Sequence, residues 1–185
     1  MKTKLASIML IILAIVLGRC TSSPQPLHDC PPESLVLDET VFPLDSRAGE
    51  LLVPLPDGGG ASAGRTIYLG RRGIANHDVY PYKRPEGADQ EFRRQKDRIR
   101  SSTIDEQWSV PEGFMYSSPI AEQYYVACGV DGGIPMCIMI AQYDNYFVFF
   151  NAHMYPDEMT FEDMERVLRA IDERMASCLN RDLQE

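Results

Sequence analysis

Two adjacent glycines, Gly132 and Gly133, decide how the longest β-favouring stretch of this chain can pair with itself. They separate the first two of three β-favouring runs: 123–129 (Gln-Tyr-Tyr-Val-Ala-Cys-Gly), 136–142 (Met-Cys-Ile-Met-Ile-Ala-Gln) and 146–151 (Tyr-Phe-Val-Phe-Phe-Asn). The intervening segments, 131–134 and 143–146, carry tight-turn residues, so the spacing predicts an antiparallel meander over about 122–153. With Gly132 and Gly133 as the two turn residues, cross-strand partners are 131/134, 130/135, 129/136 and 128/137. Hydrogen-bonded and non-hydrogen-bonded pairs alternate outward from the turn. Pro135 then falls where no donor is needed. Cys128 and Cys137 form the closer type of pair, with Cα atoms about 4.5 Å apart, within the reach of a disulfide. Two independent features therefore agree on one register.

A helix should follow the meander. Phe161, Met164, Leu168, Ile171, Met175 and Cys178 recur every three or four residues and share one face, while Glu162, Glu165, Arg169, Asp172 and Glu173 face largely outward. Thr160, with Asp163 three residues on, resembles a capping box, so the helix is expected over about 160–178. A second helix is expected over about 86–100. Glu86 and Asp89 lie near its start and Arg93, Arg94, Lys96, Arg98 and Arg100 toward its end, the polarity that the helix dipole favours. Its apolar stripe is thin: Ala88, Phe92 and Ile99. Upstream, 35–37, 41–42, 51–53 and 66–69 read as short strands. Segments 50–55 and 65–69 are expected to form a hairpin around a long Gly-rich loop. The fold class is α+β, an antiparallel sheet with at least one helix packed across it.

The meander poses a question of cover. One face carries Tyr124, Val126, Cys128, Cys137, Met139, Ala141, Val148 and Phe150, and the other Tyr125, Ala127, Met136, Ile138, Ile140, Phe147 and Phe149. Both are apolar, whereas a sheet exposed on one side alternates apolar with polar. The C-terminal helix can cover one face. The N-terminal strands or the 86–100 helix can complete a core on the other. Otherwise Tyr125, Met136, Ile138, Ile140, Phe147 and Phe149 form a candidate binding face for a lipid, a peptide or a partner protein.

The chain opens with Lys2 and Lys4, followed by thirteen uncharged residues, 5–17. That is too short for a membrane span of about 20 residues and right for a signal-peptide core of roughly 7–15. Leu17-Gly18-Arg19-Cys20 resembles the lipobox of bacterial lipoproteins, with Leu17 and Cys20 at the matching positions and Arg19 where that family carries Gly, Ala or Ser. The resemblance implies lipidation of Cys20 as the new N-terminus and attachment to the membrane outside the cytoplasm. Cleavage after Gly18 or Ser22, giving a secreted protein, and a retained signal anchor are the competing expectations. Residues 21–33, rich in proline, read as a tether, and 34–185 as one extracytoplasmic domain. With Cys20 lipidated or removed, four of the five cysteines remain, an even number suited to an oxidising compartment. Of three pairings, Cys30–Cys178 with Cys128–Cys137 is preferred, because Cys178 lies on the inward face of the last helix.

Beyond residue 20 the chain keeps 15 of its 18 basic residues and all 27 acidic ones, a net of −12. This excludes nucleic acid, which needs a basic footprint, and docking on anionic lipid by charge alone. No motif implies a cofactor or metal. Residues 59–66 approach a phosphate-binding loop, but Arg65 stands where Lys is required and β-favouring residues follow instead of a helix. His28, His77 and His153 are isolated from one another, and no nucleophile motif is present. The expectation is therefore a bacterial envelope lipoprotein that binds an apolar ligand or an envelope protein. The alternative is a small extracytoplasmic hydrolase or metal-dependent enzyme whose site assembles only in three dimensions.

Overall fold

In the computed structural model, residues 30–56, 62–102 and 108–183 are described. The leader, Cys20, His28 and most of the tether lie outside them. The elements run α1 (Pro32–Leu35), a 3-10 turn (Glu39–Val41), β1 (Arg47–Leu52), β2 (Ala63–Leu69), β3 (Gly73–Pro81), α2 (Pro85–Ser101), β4 (Gln123–Asp131), β5 (Ile134–Tyr143), β6 (Tyr146–His153) and α3 (Phe161–Leu179). The six strands make one sheet in the order β1-β2-β3-β6-β5-β4, every neighbour antiparallel. Two meanders therefore lie side by side, joined through β3 and β6, and α2 is the crossover between them. The fold is α+β, as the pattern of residues implies.

The second meander has the register set by its glycines. Cys128 pairs with Cys137, Val130 with Pro135 and Asp131 with Ile134. Gly132 and Gly133 have φ of 56° and 79°, the left-handed conformation that a two-residue hairpin turn requires and that glycine adopts without strain. A disulfide joins Cys128 to Cys137 across this pair, with Cα atoms 4.0 Å apart. A second joins Cys30 to Cys178 over 6.0 Å. Disulfides persist in oxidising compartments, and the folded chain is suited to one.

The first half departs from its sequence pattern. Residues 35–37 and 41–42 are not strands: Leu35 ends a one-turn helix, and 39–41 form a 3-10 turn that Asp38 caps by accepting a hydrogen bond from the Thr40 amide. Pro32 at the helix start removes a donor that has no partner there anyway. The tether expected to 33 thus gives way to helix at Pro32. The 50–55/65–69 hairpin forms, with Leu51 opposite Arg65 and Leu52 opposite Gly64, but its first strand begins at Arg47 and carries a bulge between Ala48 and Leu51. β3 is a strand that short hydrophobic runs do not reveal. Its inward positions are Gly73, Ala75, His77 and Val79, of which the first three are too small or too polar to mark a core.

The helices take opposite faces of the sheet. α3 packs with the N-terminal segment on the face of Val126, Met139, Val148 and Phe150, where Met164, Leu168, Ile171 and Met175 are buried. Its N-terminus is the predicted capping box: Thr160 Oγ1 accepts from the Asp163 amide, and Asp163 accepts from the Thr160 amide. α2 covers the other face, burying Ala88, Phe92 and Ile99 with Trp108 against Ala127, Ile140 and Phe147. Both apolar faces of the second meander thus have a helix. Among the described residues, no helix is long and apolar enough to cross a membrane.

Candidate functional site

The six residues of the candidate apolar face meet different fates beneath α2. Ile140 and Phe147 are sealed, at 0% and 1% exposure. Tyr125, Met136, Ile138 and Phe149 stay half-buried. The ammonium of Lys96 lies 5.2 Å from the centre of the Tyr125 ring, a cation–π contact that caps that corner of the face. One helix is too narrow to cover three strands to their margins, and its own apolar stripe is thin. A groove is left along the side of α2 that faces β3 and β6.

The groove has two chambers. One, of about 330 Å³, lies over Asp78, Tyr80, Tyr82, Phe147 and Phe149 and is walled by Glu91, Arg94, Gln95 and Arg98. The other, of about 400 Å³, continues over Phe149 and Asn151 to Ile138, Met136 and Trp108. Gln95, Arg98 and Phe149 line both, so the chambers meet there. Each volume is in the lower range of sites that hold small molecules. The floor continues onto β2 as a row of polar side chains: Thr66 Oγ1 donates to Asn76 Oδ1, and Asn76 Nδ2 donates to Asn151 Oδ1. Sheet pleating places 66, 76 and 151 side by side on this one face.

Charge in the groove is unevenly satisfied. Glu91 accepts from Arg94 and Gln95; burial works to raise its pKa, but those hydrogen bonds and the Arg94 charge hold it below the usual carboxylate value. Asp78 is different. Burial pushes its carboxyl up to about 6, the Tyr80 hydroxyl that donates to it works the other way, and no cation offsets the burial. The Asp78 carboxyl lies directly over Gly64 of β2, where a Cβ would come within 2.1 Å of it. Arg98, at the junction of the chambers, is exposed, and its guanidinium has no partner among the described residues. An uncompensated carboxyl and an unpaired guanidinium thus border one cavity without neutralising each other.

Two further cavities lie elsewhere on the described residues. One, of about 540 Å³, is bordered by Met115, Tyr116, Arg169 and Asp172. Asp172 is fully buried but already accepts hydrogen bonds from Tyr116, Ser118 and Tyr143, and Arg169 stacks on the Tyr116 ring. That cluster fastens a loop to α3 and leaves its carboxyl nothing to offer a ligand. Another cavity, of about 490 Å³, lies on the outer surface of α3 among Glu162, Glu165, Arg166 and Arg169.

The histidines do not assemble. His77 is buried on the α3 side of the sheet, its Nδ1 accepting from the Leu37 amide at 3.1 Å. Burial, with the Arg174 charge behind it, pushes its pKa down to about 3, so it is neutral. His153 stacks edge-on to Tyr155. Among the described residues, no three His, Cys, Asp or Glu side chains cluster as a metal site would need. Gly59 to Ala61 of the phosphate-loop-like segment lie outside the described residues, and Thr66 is mid-strand.

Asp78 and Arg98 were not candidates by sequence. Asp78 sits beside His77 in a strand that short-run patterning misses, and Arg98 is one of five basic residues on a charged helix. Their proximity is produced by the crossover that lays α2 over β6. The chain matches no protein-family model and no curated protein, so the chemistry of the groove is read from its own residues.

Proposed function

We propose that this protein is an extracytoplasmic lipoprotein, tethered to the membrane through Cys20, whose groove beside α2 binds a small ligand of the envelope. The observation that carries the reading is the groove itself: a half-buried aromatic floor, left open by a helix that covers the rest of the face, with unsatisfied polar groups at its margins. Buried apolar area and a few convergent polar groups are what small-molecule sites are made of. The export signal, the two disulfides and the net charge of −12 beyond the leader all support a soluble domain held outside the cytoplasm.

Two measurements test the two halves of this reading. Cys20→Ala should release the protein from membranes into the soluble envelope fraction without changing its melting temperature; a variant that still pellets with membranes is anchored by something else. Fractionated envelope extract should raise the melting temperature of the purified domain. Gln95→Trp, which fills the junction of the chambers, should erase that rise. If no fraction stabilises the wild type, the groove is not a binding site.

One observation favours the hydrolase alternative. Asp78, with its raised pKa, and ionised Glu91 border the same chamber, and carboxyls driven apart in pKa are how acid and base roles are assigned. That reading requires the bound compound to be released chemically altered; recovery of the intact compound after prolonged incubation removes it.

A further inference from the structure

The two charged groups of the groove are each incomplete in a complementary way. Asp78 is a desolvated carboxyl with one hydrogen bond, from Tyr80, and no cation. Arg98 is a guanidinium with no anion among the described residues. Both line the chamber of about 330 Å³, yet Arg98 makes no ion pair with Asp78. What completes the first is an ammonium, and what completes the second is a carboxylate. The same chamber is lined by Phe147, Phe149 and Tyr82, surfaces that take an apolar body. We propose that the groove binds a free amino acid with a large apolar side chain, its ammonium on Asp78, its carboxylate on Arg98 and its side chain against Phe149. This rests on the reading of the groove as a ligand site and names the class of ligand.

The charge of the whole chain sharpens the argument. A protein with a net charge of −12 beyond its leader repels small anions. An anionic compound lacking an ammonium would meet Asp78, Glu91 and the general field together. A cation lacking a carboxylate would leave Arg98 unpaired and lie near a second positive group, Arg94. A zwitterion has no net charge to repel, and both of its ends find partners. The titratable and charged groups around Asp78 are Tyr80 from β3, Tyr82 just after it, and Glu91, Arg94 and Arg98 from α2. Between pH 5 and 7 Asp78 changes charge, whereas Glu91 is held low by its hydrogen bonds to Arg94 and Gln95 and Tyr82 is held high by burial and the Glu91 charge. Binding of an ammonium should therefore expel the Asp78 proton and strengthen as the pH rises through about 6.

The test is calorimetric titration of the purified domain, residues 21–185, with L-phenylalanine and with two truncated analogues. Phenethylamine lacks the carboxylate and 3-phenylpropionate lacks the ammonium. Phenylalanine should bind at least tenfold more tightly than either. Its affinity should rise roughly tenfold from pH 5 to pH 7 with proton release, as ionisation of one group with a pKa near 6 requires. Arg98→Gln should bring phenylalanine down to the level of phenethylamine. Asp78→Asn should bring it down to the level of phenylpropionate and flatten the pH dependence. Equal binding of phenylalanine and either analogue, or substitutions without effect, overturns the proposal. If phenylalanine does not bind while envelope extract still stabilises the wild type and not Gln95→Trp, the ligand class falls and the binding reading stands. If neither binds, both fall.

Discussion

At the scale of single residues, two buried titratable groups oppose each other in their dependence on pH. His77 has a folded pKa of about 3 against about 6.5 unfolded. The unfolded chain therefore takes up its proton first, and stability is lost as the pH falls from about 6.5 toward 3. Roughly 3–5 kcal/mol is at stake across that window. His77→Asn keeps an acceptor for the Leu37 amide and should flatten the acid limb of a urea-midpoint profile; a variant with an unchanged acid limb would place the sensitivity elsewhere. Asp78 has the opposite sign. Its folded pKa of about 6 lies above the ordinary carboxyl value, so folding is penalised increasingly from about pH 4 to 6 and by a constant amount above. Asp78→Asn should therefore raise stability at pH 7 by on the order of 2 kcal/mol and leave it unchanged at pH 3. A carboxyl that costs the fold stability and is nevertheless present fits a role in binding, since functional sites are where such costs are tolerated. Equal stability of the two proteins at pH 7 would remove that argument.

At the scale of elements, what could be read from the chain follows hydrophobic contrast. The 123–151 meander and the 160–178 helix were legible because large apolar residues recur at periods of two and of 3.6, and turn chemistry at Gly132 and Gly133 set the register to the residue. β3 was not, because its core positions are filled by Gly73, Ala75 and His77; the strand is built in by its neighbours, Ile67 on one side and Phe150 on the other. The groove was illegible for the same reason twice over. One margin lies on that hidden strand, and the other on a helix whose apolar stripe is thin and whose charges suit its dipole. The inward Asp172 of α3 is a further case. It interrupts the apolar stripe between Leu168 and Met175, reads as exposed, and is 1% exposed. Hydroxyls of Tyr116, Ser118 and Tyr143 converge on it from a loop and from β5. Asp172→Ala strands three donors, two of them buried tyrosine hydroxyls, and should cost about 3 kcal/mol, whereas Tyr143→Phe, which removes one donor and leaves the carboxyl two, should cost about 1 kcal/mol. Urea unfolding of both variants checks the difference; equal losses would mean that the carboxyl is not the hub of the cluster.

At the scale of the whole molecule, the two disulfides do unequal work. Cys128–Cys137 crosses one hairpin, bridging residues 9 apart in sequence, already paired by the sheet. Cys30–Cys178 bridges 148 residues and joins the first described segment to the last helix. Around it the Cys30 amide donates to the Tyr146 hydroxyl, which donates back to the Cys30 carbonyl, and Arg174 of α3 donates to the Val36 carbonyl. The N-terminal segment contributes Leu35, Val36 and Leu37 to the core under α3 but pairs with no strand, so a covalent bond is what holds it against the helix in every partly open state. In the chain-entropy account, a loop of that length is worth about 5 kcal/mol and the short one about 2.5 kcal/mol. Cys30→Ser with Cys178→Ser should therefore lower stability about twice as much as Cys128→Ser with Cys137→Ser. The first variant should also expose the 30–42 segment to proteolysis at protease levels that leave the second intact. If the two losses prove equal, the N-terminal segment is held by its packing on α3 alone, and the long crosslink only records a contact that the core already makes.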